Sequence, residues 1–228
     1  MMPASQEKRL TTFAWRSLLR LGFRLLYNEL AFTYDAVSAV ASLGQWSAWQ
    51  RAALPHLNAR PGDPVLELAH GTGRLAIDLR RAGYRLTALD LSRAMGHIAG
   101  RRLGRWGWRP SLVRARAQAL PFPAERFAAV VSTFPAEFIA DPRTLGEISR
   151  VLLPGGQLVI VLGGLLTGGD PAARSLELAY RVTGQRGPWP VVLEARLAAA
   201  GFAARMFSEP LPRSVVIVCV AEKPRSAP

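Results

Sequence analysis

The residues of this chain that are best placed to do chemistry lie between positions 65 and 90, where two acids flank a glycine-rich turn. Glu67 comes four residues before Gly71, Gly73 follows, and Asp90 stands further along the chain. Glycine has no Cβ, so a backbone that turns through it can approach a ligand closely. A helix that begins at such a turn offers unpaired N–H groups, which favour a carboxylate or a phosphate. The segment therefore predicts a ligand-binding loop.

The glycine pattern alone does not decide which ligand is bound. The residues from Gly71 to Ala76 fit the dinucleotide-binding pattern G-x-G-x-x-A. Asp90 would then be the acid that binds the ribose of a nicotinamide cofactor. On this segment taken alone, nicotinamide binding stays open.

The elements that must position this loop alternate between strands and helices. Strands are predicted over 65–69, 85–89, 111–115, 127–133, 157–162, 203–208 and 214–221. Helices are predicted over 73–82, 92–103, 141–151, 171–182 and 190–201. This alternation is typical of an α/β domain with a seven-stranded, mostly parallel sheet and helices on both faces. The long connection 163–188 is a candidate substrate cap.

Two helices are predicted upstream of the strands. The first, from Arg9 to Phe32, is amphipathic and basic, with arginines on one stripe and leucines on another face. Its stripe consists of Arg9, Arg16, Arg20 and Arg24, and its apolar face is bordered by Phe13, Trp15, Phe23 and Tyr27. The second helix runs from about Ala36 to Ala53, with Asp35 placed to cap it.

Composition excludes several classes of protein. Half of the 228 residues are hydrophobic, which is too many for a disordered chain. The longest uncharged stretch is interrupted by glycines and suits a buried strand better than a membrane span. One cysteine, Cys219, allows no intrachain disulfide, and the histidines lack metal-ligand spacing, so no metal is expected. No secretory signal is apparent, so a cytoplasmic location is expected.

Four segments, in order, resemble motifs of the class I S-adenosylmethionine-dependent methyltransferases. They are Val65–Ala76, the Ala-Leu-Asp-Leu-Ser around Asp90, the Ala-Gln-Ala-Leu-Pro-Phe-Pro of 117–123, and the Arg-Val-Leu-Leu-Pro-Gly-Gly of 150–156. The third, followed by Phe127, is similar to the ubiquinone/menaquinone-biosynthesis-like branch, methyltransferase type 11. The resemblance covers roughly 65–162 and implies a Rossmann-like fold with an N-terminal helical lid, and S-adenosylmethionine as the cofactor. It disfavours nicotinamide.

The resemblance also implies which residues bind the cofactor. Glu67 would steady the loop around the methionine part, Asp90 would accept both ribose hydroxyls, and Thr133 would lie beside the methyl group. Tyr34, in Thr33-Tyr34-Asp35, resembles a lid residue that closes over the cofactor; the alternative is a packing residue next to a plain N-cap. The full expected set is Tyr34, Glu67, Ala69, His70, Gly71, Gly73, Asp90, Leu91, Arg116, Ala117 and Thr133.

Three positions depart from the family pattern. Ala69 replaces the first motif glycine, Arg116 stands where relatives carry Asp or Asn against the adenine, and Ala128 replaces the Asp that follows Phe127. A backbone contact from Ala117 would compensate. These departures keep open an alternative function, a cofactor-binding protein without catalysis.

The function implied by the resemblance is methyl transfer to a small-molecule or lipid-like acceptor, such as a quinone precursor or a phospholipid headgroup. Asp35, His70 and Glu137 are candidates for a catalytic base. An RNA methyltransferase is disfavoured, because Ser-Thr-Phe-Pro at 132–135 replaces the motif used to methylate exocyclic base amines.

The net charge of +13 attracts phosphates but identifies no partner by itself, because its arginines are spread along the chain. The basic N-terminal helix would either lie on an anionic membrane, which would place the protein at the inner face of the membrane, or pack on the domain as a lid. We expect a lid segment over residues 1–60 and the methyltransferase domain over 61–228.

Overall fold

The predicted strands form a single sheet in the computed structural model, which describes residues 30–109, 111–169, 171–182 and 189–225. They are β1 (Pro64–Leu68), β2 (Arg85–Asp90), β3 (Ser111–Arg114), β4 (Phe127–Thr133), β5 (Leu152–Leu166), β6 (Ala203–Leu211) and β7 (Ser214–Glu222). The spatial order is β3-β2-β1-β4-β5-β7-β6. The first five strands pair in parallel, and β7 is antiparallel to both β5 and β6. The predicted α/β class and mostly parallel sheet are confirmed.

The register of the central strands brings three predicted site positions to one edge of the sheet. Leu68, the last residue of β1, is level with Leu89 in β2 and with Ser132 in β4. The next residues along each strand are Ala69, Asp90 and Thr133. Because parallel strands end at the same edge, these three positions lie side by side, where α/β sheets bind their ligands.

Helices cover both faces of the sheet, as predicted. They are α1 (Tyr34–Ala41), α2 (Trp46–Arg51), α3 (Arg74–Arg81), α4 (Arg93–Gly104), α5 (Pro142–Val151), α6 (Pro171–Val182) and α7 (Trp189–Ala199). Two of the predicted starts have side-chain caps: Ser92 Oγ accepts a hydrogen bond from the Met95 N–H at 3.3 Å, and an Asp141 carboxylate oxygen accepts one from the Arg143 N–H at 3.0 Å. Such caps satisfy N–H groups that the helix itself cannot pair.

The single helix predicted over 36–53 is wrong: the chain breaks there into α1 and α2. Leu43 and Gly44 adopt left-handed backbone angles, with φ of 48° and 80°. The Gly44 N–H donates back to the Ala39 carbonyl at 2.7 Å, a helix-ending arrangement that glycine accommodates without a steric penalty. Ser42 Oγ then accepts from the Trp46 N–H at 2.8 Å at the start of α2.

The prediction that Asp35 caps this helix is also wrong. The N-cap of α1 is Thr33, which makes no side-chain cap bond, and Asp35 lies inside the first turn. Its carboxylate instead accepts hydrogen bonds from residues distant in the sequence, described with the site below.

Strand β5 extends beyond the predicted 157–162 in both directions. It pairs with β4 on one side and with β7 over residues 214–222 on the other, so both neighbours favour a longer strand. A Cβ at Gly156 would lie 2.9 Å from the Ala128 carbonyl oxygen, so this glycine permits the close approach of β4.

Two hydrophobic clusters fill the two faces of the sheet. One joins α2 and α3 to the strands through Trp49, Leu75 and Leu79, and the other joins α5 and α7 to them through Leu145, Ile148 and Leu193. Cys219 is buried in the second cluster, where burial and the nearby Glu194 raise the pKa of its thiol to about 12. The cysteine is therefore a core residue, as expected.

The basic helix predicted from Arg9 to Phe32 lies, up to residue 29, outside the described residues. That includes the stripe Arg9, Arg16, Arg20 and Arg24 and the four aromatic residues beside it. Among the helices of the described ranges, none combines the length and the apolar character needed to cross a bilayer.

Candidate functional site

The loop that joins β1 to α3 turns through three residues with left-handed backbone angles. Ala69, Gly71 and Gly73 have φ of 56°, 53° and 77°. Two of them are glycines, which adopt this conformation freely, whereas Ala69 accepts a strain of ~1–2 kcal/mol. Ala69, which stands where the resemblance leads one to expect a glycine, thus has the kind of backbone angle that glycine adopts without strain.

The two glycines of the loop serve different purposes. A Cβ at Gly73 would lie 2.9 Å from the Ala99 Cβ, so this glycine allows α3 and α4 to pack closely. A Cβ at Gly71 would have no atom within 4 Å. Gly71 thus exposes backbone to open space at the carboxyl edge of the sheet, which is what close approach of a ligand requires.

Asp90 is buried and anchored to the same loop. Its two carboxylate oxygens accept hydrogen bonds from the Gly71 N–H at 2.9 Å and the Ser92 N–H at 2.8 Å. A carboxylate has about four acceptor positions, so two remain for hydroxyl groups of a ligand. Asp90 is therefore positioned by backbone N–H groups and can accept two ribose hydroxyls.

Glu67 is buried below this loop, with a side chain only 1 % exposed. Its Oε2 has no hydrogen-bond partner among the described residues. Burial, together with repulsion from Asp90 and Asp78, raises the pKa of Glu67 well above its usual range. A positive charge bound beside Glu67 would oppose this shift.

His70 is held inside the loop by its own neighbour. Its Nδ1 lies 2.8 Å from the Gly71 carbonyl oxygen. Because a carbonyl can only accept, Nδ1 carries the proton and Nε2 is left as an acceptor. Burial lowers the pKa of His70, and the Asp90 carboxylate opposes part of that shift. The imidazole is therefore neutral at physiological pH.

The remaining cofactor positions predicted on the sheet follow β2 and β3. Leu91 is exposed, and its carbonyl oxygen accepts a hydrogen bond from Arg114 Nε at 3.0 Å. Arg116 points to solvent, while Ala117 is buried behind it. His70 and Asp90 line a cavity of about 220 Å³ together with residues of α4 and β3.

The lid residue Asp35 is tied directly to the loop. Its Oδ1 accepts hydrogen bonds from Thr72 Oγ1 at 2.8 Å and Arg74 Nε at 2.9 Å, and its Oδ2 accepts one from Arg102. Burial would raise the pKa of Asp35, but the bonds from Arg74, Arg102 and Thr72 outweigh it and hold the pKa below the usual value. Asp35 is thus ionised and joins α1 to the loop. We call its bonds to Thr72, Arg74 and Arg102 the latch.

An aromatic cluster lies between α1, α2 and the end of β4. Trp46 packs against Phe134 with ring centroids 4.1 Å apart, and the Tyr34 ring stands edge-on to Trp46 at 6.2 Å. Trp49 lies over Gly164 of β5 so closely that a Cβ there would be 2.3 Å from its ring. Trp46 and Trp49 are three residues apart in the sequence, a spacing that indicates a shared helix face.

Sequence reasoning missed two residues of this region, Gln50 and Phe134. Gln50 is buried, and its Nε2 donates a hydrogen bond to Thr133 Oγ1 at 3.2 Å. Phe134 follows Thr133 with a left-handed φ of 50° that turns its ring toward α2. A lone glutamine on a helix carries no local signal, since its role depends on a partner more than eighty residues away.

Glu137 lies further from these groups than the other base candidates. It is exposed, in the short 3-10 turn Glu137–Ala140 that follows β4. The structure therefore brings Asp35 and His70 to the loop and leaves Glu137 in solvent.

Comparison with known proteins places the loop within a family. Residues 65–156 match the family model described as a methyltransferase domain. The chain is 32 % identical to a demethylmenaquinone methyltransferase of Thermus thermophilus over 226 residues, covering 87 % of this chain and 100 % of that protein. It is 35 % identical to a demethylmenaquinone methyltransferase of Symbiobacterium thermophilum, covering 60 % of this chain and 57 % of that one.

Solved structures share the fold at lower identity. The geranyl diphosphate C-methyltransferase of Streptomyces coelicolor aligns with a TM-score of 0.58 and 16 % identity, over 78 % of this chain and 79 % of that one. Phosphoethanolamine N-methyltransferase 2 of Haemonchus contortus, solved with S-adenosylhomocysteine, aligns with a TM-score of 0.60 and 17 % identity, over 80 % of this chain and 53 % of that one.

Proposed function

The chain belongs to the class I S-adenosylmethionine-dependent methyltransferases, in their menaquinone-biosynthesis-like branch, and we propose that it methylates the ring of a quinone precursor in its hydroquinone form. The Thermus thermophilus relative, which the alignment covers over its whole length, is named for such an activity. The observation that carries the proposal is that Thr133, at the end of β4, and Phe134 after it lie beside the start of the loop at Ala69, and that Phe134 packs there against Trp46.

The residues of the loop fit the cofactor. S-adenosylmethionine supplies an electrophilic methyl group on a positively charged sulfur and also carries an ammonium group. We assign the ribose to Asp90, the methionine part to Glu67 and the backbone at Gly71, and the adenine side to Leu91, Arg116 and Ala117. The unpaired Glu67 oxygen and the open space at Gly71 support this assignment.

The space that we propose beside Trp46, Phe134 and Tyr34, the aromatic cleft, suits a flat, apolar acceptor. Trp46 and Phe134 form a wall beside Thr133, and Tyr34 adds an edge to it. Aromatic rings pack favourably against such walls and exclude water from them. The chain's contribution to rate is then to hold the acceptor in line with the methyl group in a dry cleft.

A hydroquinone carbon becomes a better nucleophile when its hydroxyl loses a proton, so a base assists the reaction. Of the three candidates, Asp35 is occupied by two arginines and Glu137 is exposed. His70 is neutral, with Nε2 left as an acceptor. We therefore assign the base role to His70.

The test of this function is a methyl-transfer assay with radiolabelled S-adenosylmethionine and a naphthohydroquinone bearing a short prenyl tail, kept reduced. We expect label in the hydroquinone and none in its fully substituted ring analogue. Label in phosphoethanolamine instead would show that the acceptor is this headgroup and not a quinone precursor. Binding of S-adenosylhomocysteine without transfer to any acceptor would make the chain a cofactor-binding protein without catalysis.

We further propose that the protein meets an anionic membrane surface through the lid, since a quinone precursor with a prenyl tail resides in the bilayer. Two apolar side chains near the start of the described chain are strongly exposed, Phe32 at 77 % and Val40 at 74 %. Phe32 also lines a cavity of about 330 Å³ with Arg101 of α4 and with Arg105, the residue that follows this helix. Exposed apolar groups beside arginines are typical of surfaces that bind anionic lipid.

A liposome flotation assay with anionic vesicles tests this proposal. We expect the wild-type chain to float and the variant with Arg9, Arg16, Arg20 and Arg24 changed to glutamine to remain in the soluble fraction. Neutral vesicles serve as the control. Equal flotation of both proteins on anionic vesicles would refute the electrostatic contact.

A further inference from the structure

Unpaired buried polar atoms mark places where the described residues leave a hydrogen bond unmade. Four buried side-chain nitrogen or oxygen atoms lack a hydrogen bond among the described residues: Gln45 Nε2, Gln50 Oε1, Glu67 Oε2 and Thr144 Oγ1. Gln45 and Gln50 lie at the start of α2 and within it, and Glu67 lies in β1 beneath the loop. Because an unpaired buried polar group is costly, its retention indicates a partner other than the described residues.

Gln50 is the member of this group whose surroundings define its partner. Its side chain is 9 % exposed, and its Nε2 is fixed by the bond to Thr133 Oγ1 at 3.2 Å. Thr133 lies level with Ala69, at the start of the ligand-binding loop. The amide is therefore held at the carboxyl edge of the sheet, with its oxygen unpaired.

The chemistry of that oxygen restricts what can pair with it. An amide oxygen only accepts hydrogen bonds, so its partner must be an N–H or O–H donor. Gln50 belongs to the same helix as Trp46, which forms the flat wall with Phe134. A phenolic hydroxyl is such a donor, and the flat ring of the hydroquinone proposed above carries it.

We propose that Gln50 is a specificity-determining residue, which accepts a hydrogen bond from a hydroxyl group on the aromatic acceptor. The inference rests on the proposed function and deepens it. Gln50 recognises the reduced, hydroxyl-bearing form of the acceptor and disfavours both the oxidised quinone and an ether, because neither has a proton to donate. A site built around a hydrogen bond rejects analogues that lack it, since they leave the buried group unpaired.

A purely structural role for Gln50 makes a different prediction. If the residue only ties α2 to β4, then the bond from Nε2 to Thr133 Oγ1 is its whole function. Removing either partner would then have the same effect on every ligand. The two roles are separated by variants that remove the amide or remove only its tether.

The experiment measures ligand binding rather than turnover, so it is independent of methyl transfer. Wild type, Gln50→Leu and Thr133→Val are loaded with S-adenosylhomocysteine, which also reports that each variant is folded. Each is titrated anaerobically with a naphthohydroquinone and with its dimethyl ether, and binding is followed by quenching of tryptophan fluorescence.

We expect wild type to bind the hydroquinone about tenfold more tightly than the ether, the value of one hydrogen bond. Gln50→Leu abolishes this preference, and Thr133→Val, which keeps the amide oxygen, retains it. Equal preference in wild type and Gln50→Leu, equal loss in both variants, or no binding of either probe would overturn the inference. A preserved preference without methyl transfer would overturn the proposed reaction and leave the role of Gln50 standing.

Discussion

Two carboxylates on either side of the ligand-binding loop show opposite behaviour. Asp35, on the lid, has two arginine partners and a pKa held below its usual value. Glu67, beneath the loop, is buried without a cationic partner among the described residues, and its pKa is raised. The described residues therefore balance the charge of Asp35 and leave that of Glu67 unbalanced. This difference is what we expect if Asp35 is structural and Glu67 faces a bound ligand.

The largest expected effect concerns the open side of the loop. Gly71→Ala places a methyl group in the space where the cofactor must approach, and we expect the affinity for S-adenosylhomocysteine to fall about a hundredfold. Gly62→Ala is the matched control, since both glycines have a positive φ and both have no atom within 4 Å of the added Cβ.

Both glycine variants should lose ~1–2 kcal/mol of stability from the left-handed backbone, but only Gly71→Ala should lose the cofactor. Calorimetric titration measures the affinities, and chemical denaturation measures the stabilities. Equal affinity in the two variants would show that Gly71 does not face the ligand.

The second prediction concerns the lid. Gly164→Ala introduces a Cβ that would lie 2.3 Å from the Trp49 ring, so α2 must shift away from the sheet. We expect methyl transfer to fall at least about tenfold, because a small displacement misaligns the acceptor. The cofactor affinity should change by less than about threefold, since the side-chain hydrogen bond of Trp49 goes to Ser214 of β7 and not to the loop.

Gly146→Ala in α5 is the control for this lid prediction, because an added Cβ there meets no atom within 4 Å. It should retain activity and gain ~0.5–1 kcal/mol of stability from its helical position. An unchanged transfer rate in Gly164→Ala would contradict the docked lid.

The third prediction measures the latch. Arg102 donates to Asp35, to the Thr72 carbonyl at 2.9 Å and to Thr72 Oγ1 at 2.8 Å, and its side chain is mostly buried. Arg102→Gln should therefore lower the free energy of unfolding by ~1–3 kcal/mol. Arg51→Gln breaks a pair with Asp78 and an exposed hydrogen bond from Arg51 Nε to the Ser47 carbonyl, and should cost less than ~0.5 kcal/mol. Urea denaturation of both variants decides whether the latch stabilises the fold; equal losses would show that it does not.

The smallest effect is the pH dependence of stability that Glu67 imposes. Folding raises the pKa of Glu67, mainly by burial, so the native state retains a proton that the unfolded chain releases. The stability it contributes is full below the ordinary glutamate pKa and is lost as pH rises through the raised value. In Glu67→Gln this loss disappears, so the variant gains stability relative to wild type as pH increases.

Denaturation over a pH series measures this stability difference, with Glu222→Gln as the exposed control. Parallel pH profiles for wild type and Glu67→Gln would show that Glu67 is not buried as a protonated acid.

Features that consecutive residues determine were predicted correctly, whereas features that depend on particular hydrogen bonds were not. The loop from Glu67 to Gly73 was predicted in place, because its strand, its glycines and its helix start are consecutive. The lid was not. Gly44 ends one helix and Ser42 Oγ accepts a hydrogen bond at the start of the next, and the hydrophobic pattern indicates neither bond. The partners of Asp35 and Gln50 lie far away in the sequence, and only the folded topology brings them together.

The most direct test of the account is calorimetric titration of the chain with S-adenosylhomocysteine, in wild type, Asp90→Asn and Ser92→Ala. The account predicts one bound molecule per wild-type chain, retained in Ser92→Ala and lost in Asp90→Asn, whose amide cannot accept from the Gly71 N–H and two hydroxyls together. No binding to wild type at millimolar ligand, or equal binding by Asp90→Asn, would contradict it.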